Sequence, residues 1–377
     1  MQIGVPKESN PAENRVPLTP ISVKKLVDIG TKVVIQKHMG AGSGYSDQEY
    51  TEVGASIATD RSDLLAGSDM ILRIEKPDLA EISQLKKGCI HISYLDPFNE
   101  GETVNVLAAH KISAISMEMI PRTTLSQKMD ALSSQANLAG YVTVILAANK
   151  LNRILPMMMT PAGTIKPAQV FIIGAGVAGL QAIATAKRMG AKVTVFDTRP
   201  VVAEQVQSLG AKFLEIDLGE TGQTKDGYAK ELTPEQIEIQ REGQKQAIAN
   251  SDVVITTAQV FGRKAPVIVT KDMVEAMKPG SVIVDMAADT GGNVEGSVAN
   301  EEVVINGVTL IGQSNLPNNV CRDASIMYAS NLFNLVNQYW DKENKTFVLD
   351  RENDIIQGCL ITHDGSIVNE TIKNLNR

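Results

Sequence analysis

Metal ligands and redox-active cysteines are scarce in this chain. Its four histidines are scattered, and its three cysteines, Cys89, Cys321 and Cys359, are dispersed and odd in number. Neither set places two ligands at a spacing that a zinc site needs. No metal is expected, and the cysteines read as buried thiols of a reducing compartment rather than a disulfide framework. Positive charge is also short. The 36 lysines and arginines face 43 acidic residues, a net charge of −7 with no basic stripe, which argues against a nucleic-acid partner. No apolar run approaches the roughly 18 residues that span a bilayer. The longest, residues 141–148, suits a buried helix, so direct membrane insertion is not expected. The opening MQIGVPKE reaches charge too soon for a signal peptide, and low-complexity segments are absent.

What remains is a globular composition, 43% hydrophobic and 21% charged. A chain of 377 residues is too long for one ordinary core, so two domains are expected. The chain is organised around residues 169–199, QVFIIGAGVAGLQAIATAKRMGAKVTVFDTR. An apolar strand, 170–173, runs into the turn Gly174-Ala175-Gly176-Val177-Ala178-Gly179. A helix with Leu180, Ile183, Ala184 and Met189 inward follows and stops at Gly190. A second strand, 192–196, ends on Asp197. This is a βαβ unit with glycines at the strand-to-helix turn and a carboxylate at the second strand tip. Gly174 permits the tight turn, Gly176 the approach of a pyrophosphate, and Gly179 close helix–strand packing. Amides at the helix N-terminus face the phosphates. Asp197, with Thr198 and Arg199 beside it, is placed to accept bonds from an adenosine ribose. Its charge favours NAD over NADP, and Arg199 softens that preference.

The rest of the chain alternates strands and helices. Strands are expected at 2–5, 32–36, 70–74 and 89–94, with a helix opened by Thr19 and Pro20 and closed at Gly30, and another over 79–85. Residues 135–151 have helical spacing and are apolar on most sides. Further strands fall at 213–216, 253–256, 281–286 and 309–311. The polar segment 219–242, with Gly227-Tyr228-Ala229 inside it, reads as a loop feeding a polar helix. A long helix covers 319–340, and 347–368 reads as a β-hairpin turning at Asp364-Gly365. The expected fold class is α/β: two Rossmann-like doubly wound domains linked by long helices, with a C-terminal β-hairpin. The expected division is 1–134 plus 318–377, and 135–317 for the NAD-binding domain. Thr256, Thr257, Ala258, Asn315 and Leu316 stand at or just past strand C-termini, where open parallel sheets gather ligands.

Three stretches resemble one family. Residues 3–20, IGVPKE…ENRVPLTP, are similar to the start of the alanine dehydrogenase and proton-translocating transhydrogenase superfamily. Residues 119–141 (MIPRTTLSQKMDALSSQANLAGY) and 156–191 resemble its transhydrogenase branch. The resemblance covers the whole chain. It implies the NAD(H)-binding alpha-subunit component, a homodimer working with an NADP(H)-binding beta subunit and a membrane-spanning subunit. It also implies a cytoplasmic location, peripheral on the membrane through those partners. Hydride would pass directly from NADH to NADP+ on the partner component, coupled to proton translocation. From the residues alone, Arg122, Gln127 and Asp130 are a polar loop with a surface ion pair. The resemblance makes them the loop that carries the reactive end of the nicotinamide, with Ser133 placed to meet its carboxamide. It likewise assigns Tyr228 to a loop that closes over NAD(H).

Alanine dehydrogenases share the fold and the NAD site and are the alternative. The resemblance to them implies an arginine, a lysine and a histidine around a small keto acid. Arg15 is present here, but Glu75 stands where the lysine aligns and Asp96 where the histidine aligns. Lys76 could replace the lysine only with a slip of register, and Asp289 stays near the dehydrogenase's active-site aspartate. Loss of the lysine and the histidine removes a carbonyl anchor and a proton shuttle, which amino-acid oxidation needs and transhydrogenation does not. A non-enzymatic NAD-binding module is the third reading and leaves the Gln127 loop without purpose.

Overall fold

The computed structural model describes residues 1–219, 221–223, 230–259 and 261–375. The chain divides into two compact units, one of Met1–Gln135 with Val320–Arg377 and one of Ala136–Asn319.

The first unit holds an eight-stranded sheet. Its order is Ser366–Ile367, Leu360–His363, Ser113–Ser116, Ile90–Ser93, Met70–Leu72, Gln2–Val5, Lys32–Gln36 and Ser56–Ala58. The six strands from Ser113–Ser116 to Ser56–Ala58 run parallel, and the two C-terminal strands add on antiparallel. Local chemistry sets the elements. Thr19 and Ser22 cap the helix Pro20–Asp28 reciprocally, with Pro20 in its first turn.

The C-terminal segment departs from the expected long hairpin. Residues Thr346–Phe347 pair with Trp340–Asp341, and Asp354–Cys359 is helical. The Asn353 side chain caps that helix by accepting from the Ile355 and Ile356 amides. Only Leu360–His363 and Ser366–Ile367 form the hairpin. Asp364 (φ +43°) and Gly365 (φ +85°) make its turn, a left-handed pair suited to a tight hairpin.

The second unit is a seven-stranded sheet in the order Lys212–Phe213, Lys192–Phe196, Gln169–Ile173, Val253–Thr256, Val282–Asp285, Val308–Ile311 and Glu302–Ile305. All pairs are parallel except the last. Strand order reverses between Gln169–Ile173 and Val253–Thr256, so the topological switch point lies at the end of the first strand. Both faces of this sheet are covered. Val170 and Ile172 pack with Ala182, Ile183 and Ala186 of the helix Val177–Arg188. Phe171 and Ile173 pack on the other side with Ile248, Val274 and Leu310. Period-2 alternation with apolar residues on both faces is the pattern of a central parallel strand.

The helix Ala131–Lys150 is, by length and composition alone, long and apolar enough to cross a membrane. That corrects the expectation that no segment approaches this length. Its Val144 and Ala147 pack into the core of the second unit. The strands Ser56–Ala58, Ser113–Ser116 and Glu302–Ile305 and the ribbon Met158–Thr160/Gly163–Ile165 go beyond the expected elements, since each is too short to show a period.

Candidate active site

The strand Gln169–Ile173 ends in a turn that requires its glycines. Gly174 has φ +100°, and its amide donates to the Phe196 carbonyl at 2.8 Å. A Cβ on Gly174 would lie 2.4 Å from Thr257 Oγ1, and one on Gly179 would lie 2.0 Å from the Gly174 carbonyl oxygen. Gly176 differs: among the described residues, nothing stands within 4 Å of a Cβ built there. Two glycines are therefore filled by the protein itself, and the middle one faces open space. The helix Val177–Arg188 starts at this point without a side-chain cap. The amides of Val177, Ala178 and Gly179 are the ones a helix leaves without intrahelical acceptors. A cradle of this kind fits a pyrophosphate.

Asp197 closes the next strand and is 9% exposed. Its Oδ2 accepts the Ala175 amide at 2.7 Å and Arg199 Nη2 at 2.8 Å, and its Oδ1 accepts the Arg199 amide at 2.8 Å and Arg199 Nε at 2.9 Å. The carboxylate raises the Arg199 pKa, chiefly through these bonds. The Thr198 carbonyl accepts the Thr221 hydroxyl at 2.8 Å.

The third strand end supplies Thr256, Thr257 and Ala258. Thr256 is fully buried, and its hydroxyl donates to Asp285 Oδ1 at 3.1 Å. The Thr257 hydroxyl donates to the carbonyls of Ile173 and Gly174, both at 3.2 Å, and so pins the glycine turn. Ala258 exchanges bonds with Asn293, its amide donating to Oδ1 at 3.1 Å and its carbonyl accepting from Nδ2 at 2.9 Å. Asp285 also accepts the amides of Ala287, Asn293 and Val294. Asn315 has φ +47°, and Leu316 after it is buried. Tyr228 lies outside the described residues.

The structure thus joins the glycine turn, Asp197, Arg199 and Thr257 by direct hydrogen bonds, and ties Thr256 and Ala258 to Asp285 and Asn293. Ala175, Asp285 and Asn293 are additions that sequence reasoning missed. Asp285 had a signal, a lone carboxylate at the C-terminal end of an apolar strand.

Arg122, Gln127, Asp130 and Ser133 belong to the first unit. Asp130 begins the helix Ala131–Lys150. Its Oδ1 accepts the Ser133 amide at 2.8 Å, and its carbonyl accepts the Ser134 amide at 3.2 Å. Arg122 Nε lies 3.6 Å from Asp130 Oδ2. Gln127 opens a single turn, Gln127–Met129, and its side chain is exposed. The turn is anchored beneath by buried Ser126 and Met129. Behind it, the Lys128 carbonyl accepts from Asn331 and Asn334 at 3.1 and 3.0 Å.

The residues around Arg15 are committed elsewhere. Arg15 is paired with Glu13 at 2.7 Å and donates to Gln135 Oε1 at 3.0 Å. Glu75 accepts from Asn10 at 3.1 Å, and Lys76 is paired with Glu100 at 2.7 Å. Asp96 accepts from Asn99 at 2.9 Å. His91 is fully buried, and burial, helped by the Arg73 charge, pushes its pKa down to about 3.

Models of the alanine dehydrogenase/PNT N-terminal and C-terminal domains match residues 4–139 and 143–370. The chain belongs to this family. It is 42% identical to the first section of the NAD(P) transhydrogenase alpha subunit of Rhodospirillum rubrum, a separate chain there, over 99% of both chains. It is 40% identical to the longer NAD(P) transhydrogenase subunit alpha of Haemophilus influenzae, over 97% of this chain and 71% of that protein. Identity to the alanine dehydrogenase of Methanococcus maripaludis is 30%, over 99% and 95%. Solved structures agree. A transhydrogenase from Sinorhizobium meliloti superposes with a TM-score of 0.88 at 41% identity, covering 98% of this chain and all 100% of that one. An L-alanine dehydrogenase gives 0.82 at 26%, covering 100% and 99%. The resemblance read from residues 3–20, 119–141 and 156–191 is therefore borne out, and so is the α/β fold with two domains of parallel-strand sheet.

Proposed function

We propose that this chain is the NAD(H)-binding component of an NAD(P) transhydrogenase. One observation carries the reading: the dinucleotide cradle is intact, while among the described residues Arg15 has neither a lysine nor a histidine committed to it. The long alignment with transhydrogenase alpha subunits supports it. Gly174, Gly176 and Gly179, with the amides of Val177, Ala178 and Gly179, hold the pyrophosphate. Asp197, with Thr198 and Arg199 at its side, receives the adenosine ribose. Thr256, Thr257 and Ala258 line the adenosine side, Asn315 and Leu316 the nicotinamide side, and Tyr228 belongs to a segment that closes over the nucleotide. Gln127 orients the nicotinamide end, Arg122 and Asp130 stiffen its loop, and Ser133 meets the carboxamide. Bound NADH supplies a hydride, which passes to NADP+ held on a separate component. No residue of this chain then needs to move a proton. Its task is alignment and exclusion of water.

Assembly follows the same reading: a homodimer, peripheral on a membrane through its NADP(H)-binding and membrane-spanning partners, which couple transfer to proton translocation. The ribbon Met158–Thr160/Gly163–Ile165 supports self-association. All six of its residues are exposed, and a lone two-stranded ribbon is marginal in water.

The test is to mix the purified chain with an NADP(H)-binding component and follow hydride exchange between an NADH analogue and NADP+, with alanine plus NAD+ run in parallel. Exchange without alanine turnover is expected. Alanine turnover without exchange would overturn the reading.

A further inference from the structure

The carboxylate proposed to receive the adenosine ribose is already full. A carboxylate offers about four lone-pair sites. Those of Asp197 take the Ala175 amide, the Arg199 amide, Arg199 Nε and Arg199 Nη2, at 2.7 to 2.9 Å. These donors are of two kinds. The two amides are backbone groups and hold the carboxylate in place whatever the side chain does. The two guanidinium bonds can be released by rotation of one side chain. A ribose diol has two hydroxyls to donate, which matches the number of bonds that Arg199 can give up.

Charge makes the same pair decisive for selectivity. The Asp197 and Arg199 side chains are 5% and 12% exposed and 2.8 Å apart, so solvent screens them little. A bare carboxylate there repels a 2′-phosphate. A carboxylate covered by a guanidinium does not, and a guanidinium turned outward binds phosphate directly. The geometry points to Arg199 as a specificity-determining latch: it caps Asp197 in the free protein, yields to the ribose diol, and weakens the discrimination against a 2′-phosphate that Asp197 alone would impose. This rests on the dinucleotide reading above.

Arg199→Ala separates the latch from a merely structural turn. Removing the guanidinium vacates two sites on Asp197 and uncovers its charge. Binding of NADH and of NADPH, which differ only by the 2′-phosphate, is measured by calorimetry on the full chain. The variant is expected to bind NADH at least as tightly as the natural protein and NADPH on the order of tenfold more weakly, so the preference for NADH widens by about tenfold or more. Asp197→Asn keeps the shape, removes the charge and is expected to narrow the preference. Arg199→Lys keeps the charge without the planar fork and is expected to stay nearer the natural ratio than Arg199→Ala, which also covers a fold failure of the alanine variant. An unchanged or narrowed preference in Arg199→Ala would overturn the latch, as would equal weakening of both nucleotides. A natural protein that binds neither nucleotide would fail the dinucleotide reading itself, and the latch with it.

Discussion

Asp130 holds Ser133 from two directions: one carboxylate oxygen accepts the Ser133 amide at 2.8 Å and the other accepts its hydroxyl at 2.6 Å. The same Oδ2 faces Arg122 Nε at 3.6 Å. Asp130 is therefore both the N-cap of a long helix and the counter-charge of the polar loop. These roles can be separated. Asparagine caps about as well as aspartate, whereas alanine costs about 1 kcal/mol. Asp130→Asn should keep the chemical-denaturation midpoint near that of the natural protein and still slow hydride transfer to the partner's NADP+. Asp130→Ala should lose both. Natural transfer rates in Asp130→Asn would reduce this residue to a cap.

Gln127 sits exposed on a turn whose underside is locked by Met129 and Ser126. Shortening it by one methylene in Gln127→Asn leaves the turn intact and moves the amide by about 1 Å, which can cost on the order of 10²-fold in an alignment-limited reaction. Single-turnover transfer should fall by that order, with the NADH dissociation constant little changed. A matching loss in affinity would show that Gln127 grips the nucleotide rather than aligning it.

The two outer glycines and the middle one should fail differently. A Cβ at Gly179 would stand 2.0 Å from the Gly174 carbonyl oxygen, so Gly179→Ala should lower the melting temperature. Gly176 has φ −77° and no described neighbour within 4 Å of a Cβ. Gly176→Ala should melt like the natural protein and lose NADH affinity, because the added methyl occupies the space left for the phosphates. Retained affinity would place the pyrophosphate elsewhere.

His91 is buried, and both of its ring nitrogens lack a partner among the described residues. Its folded pKa is about 3 against an ordinary 6.5, with burial the main cause. Below about pH 6.5 the unfolded chain takes up a proton that the folded chain refuses. The contribution is thus fully present above the unfolded value and is lost as pH falls toward the folded one, amounting to about 2 kcal/mol by pH 5. Urea midpoints measured from about pH 7 to about pH 5 should fall more steeply for the natural protein than for His91→Leu. Parallel slopes would contradict the neutral buried imidazole.

Met157, Met159 and Ile165 are 60%, 70% and 48% exposed beside or within the ribbon Met158–Thr160/Gly163–Ile165. A charge placed there, as in Met159→Glu, should shift a dimer toward monomer in sedimentation velocity without loss of helical signal. An unchanged sedimentation coefficient would move the interface away from this ribbon.

Much of the nucleotide seat is legible in the order of residues alone. The 170–173 strand, the three glycines, the helix that Gly190 stops and the acidic tip are all local. They follow from a period, a cap and a backbone conformation that only glycine takes easily. The Thr19-Pro20 helix start is readable for the same reason. Elements of two to four residues are not, because Ser56–Ala58 or Ser113–Ser116 is too short for any period to appear. The C-terminal segment misleads for another reason. Ile355, Ile356 and Cys359 suit a strand as well as a helix, and the Asn353 cap decides between them.

The sequence by itself determined that a nucleotide-sized cradle is built at residues 174–179 and that a carboxylate stands at the next strand tip, since both depend on neighbours within one βαβ unit. Only the tertiary structure decided what those groups do when no ligand competes. It brought the Ala175 amide onto Asp197 from 22 residues away, and Thr257 under the glycine turn from 83 residues away. It also seated Leu360–His363 beside Ser113–Ser116. Such contacts depend on which strands become neighbours, and no local pattern encodes that. Competition for a buried carboxylate is settled only after the chain has folded and every nearby donor has taken its place.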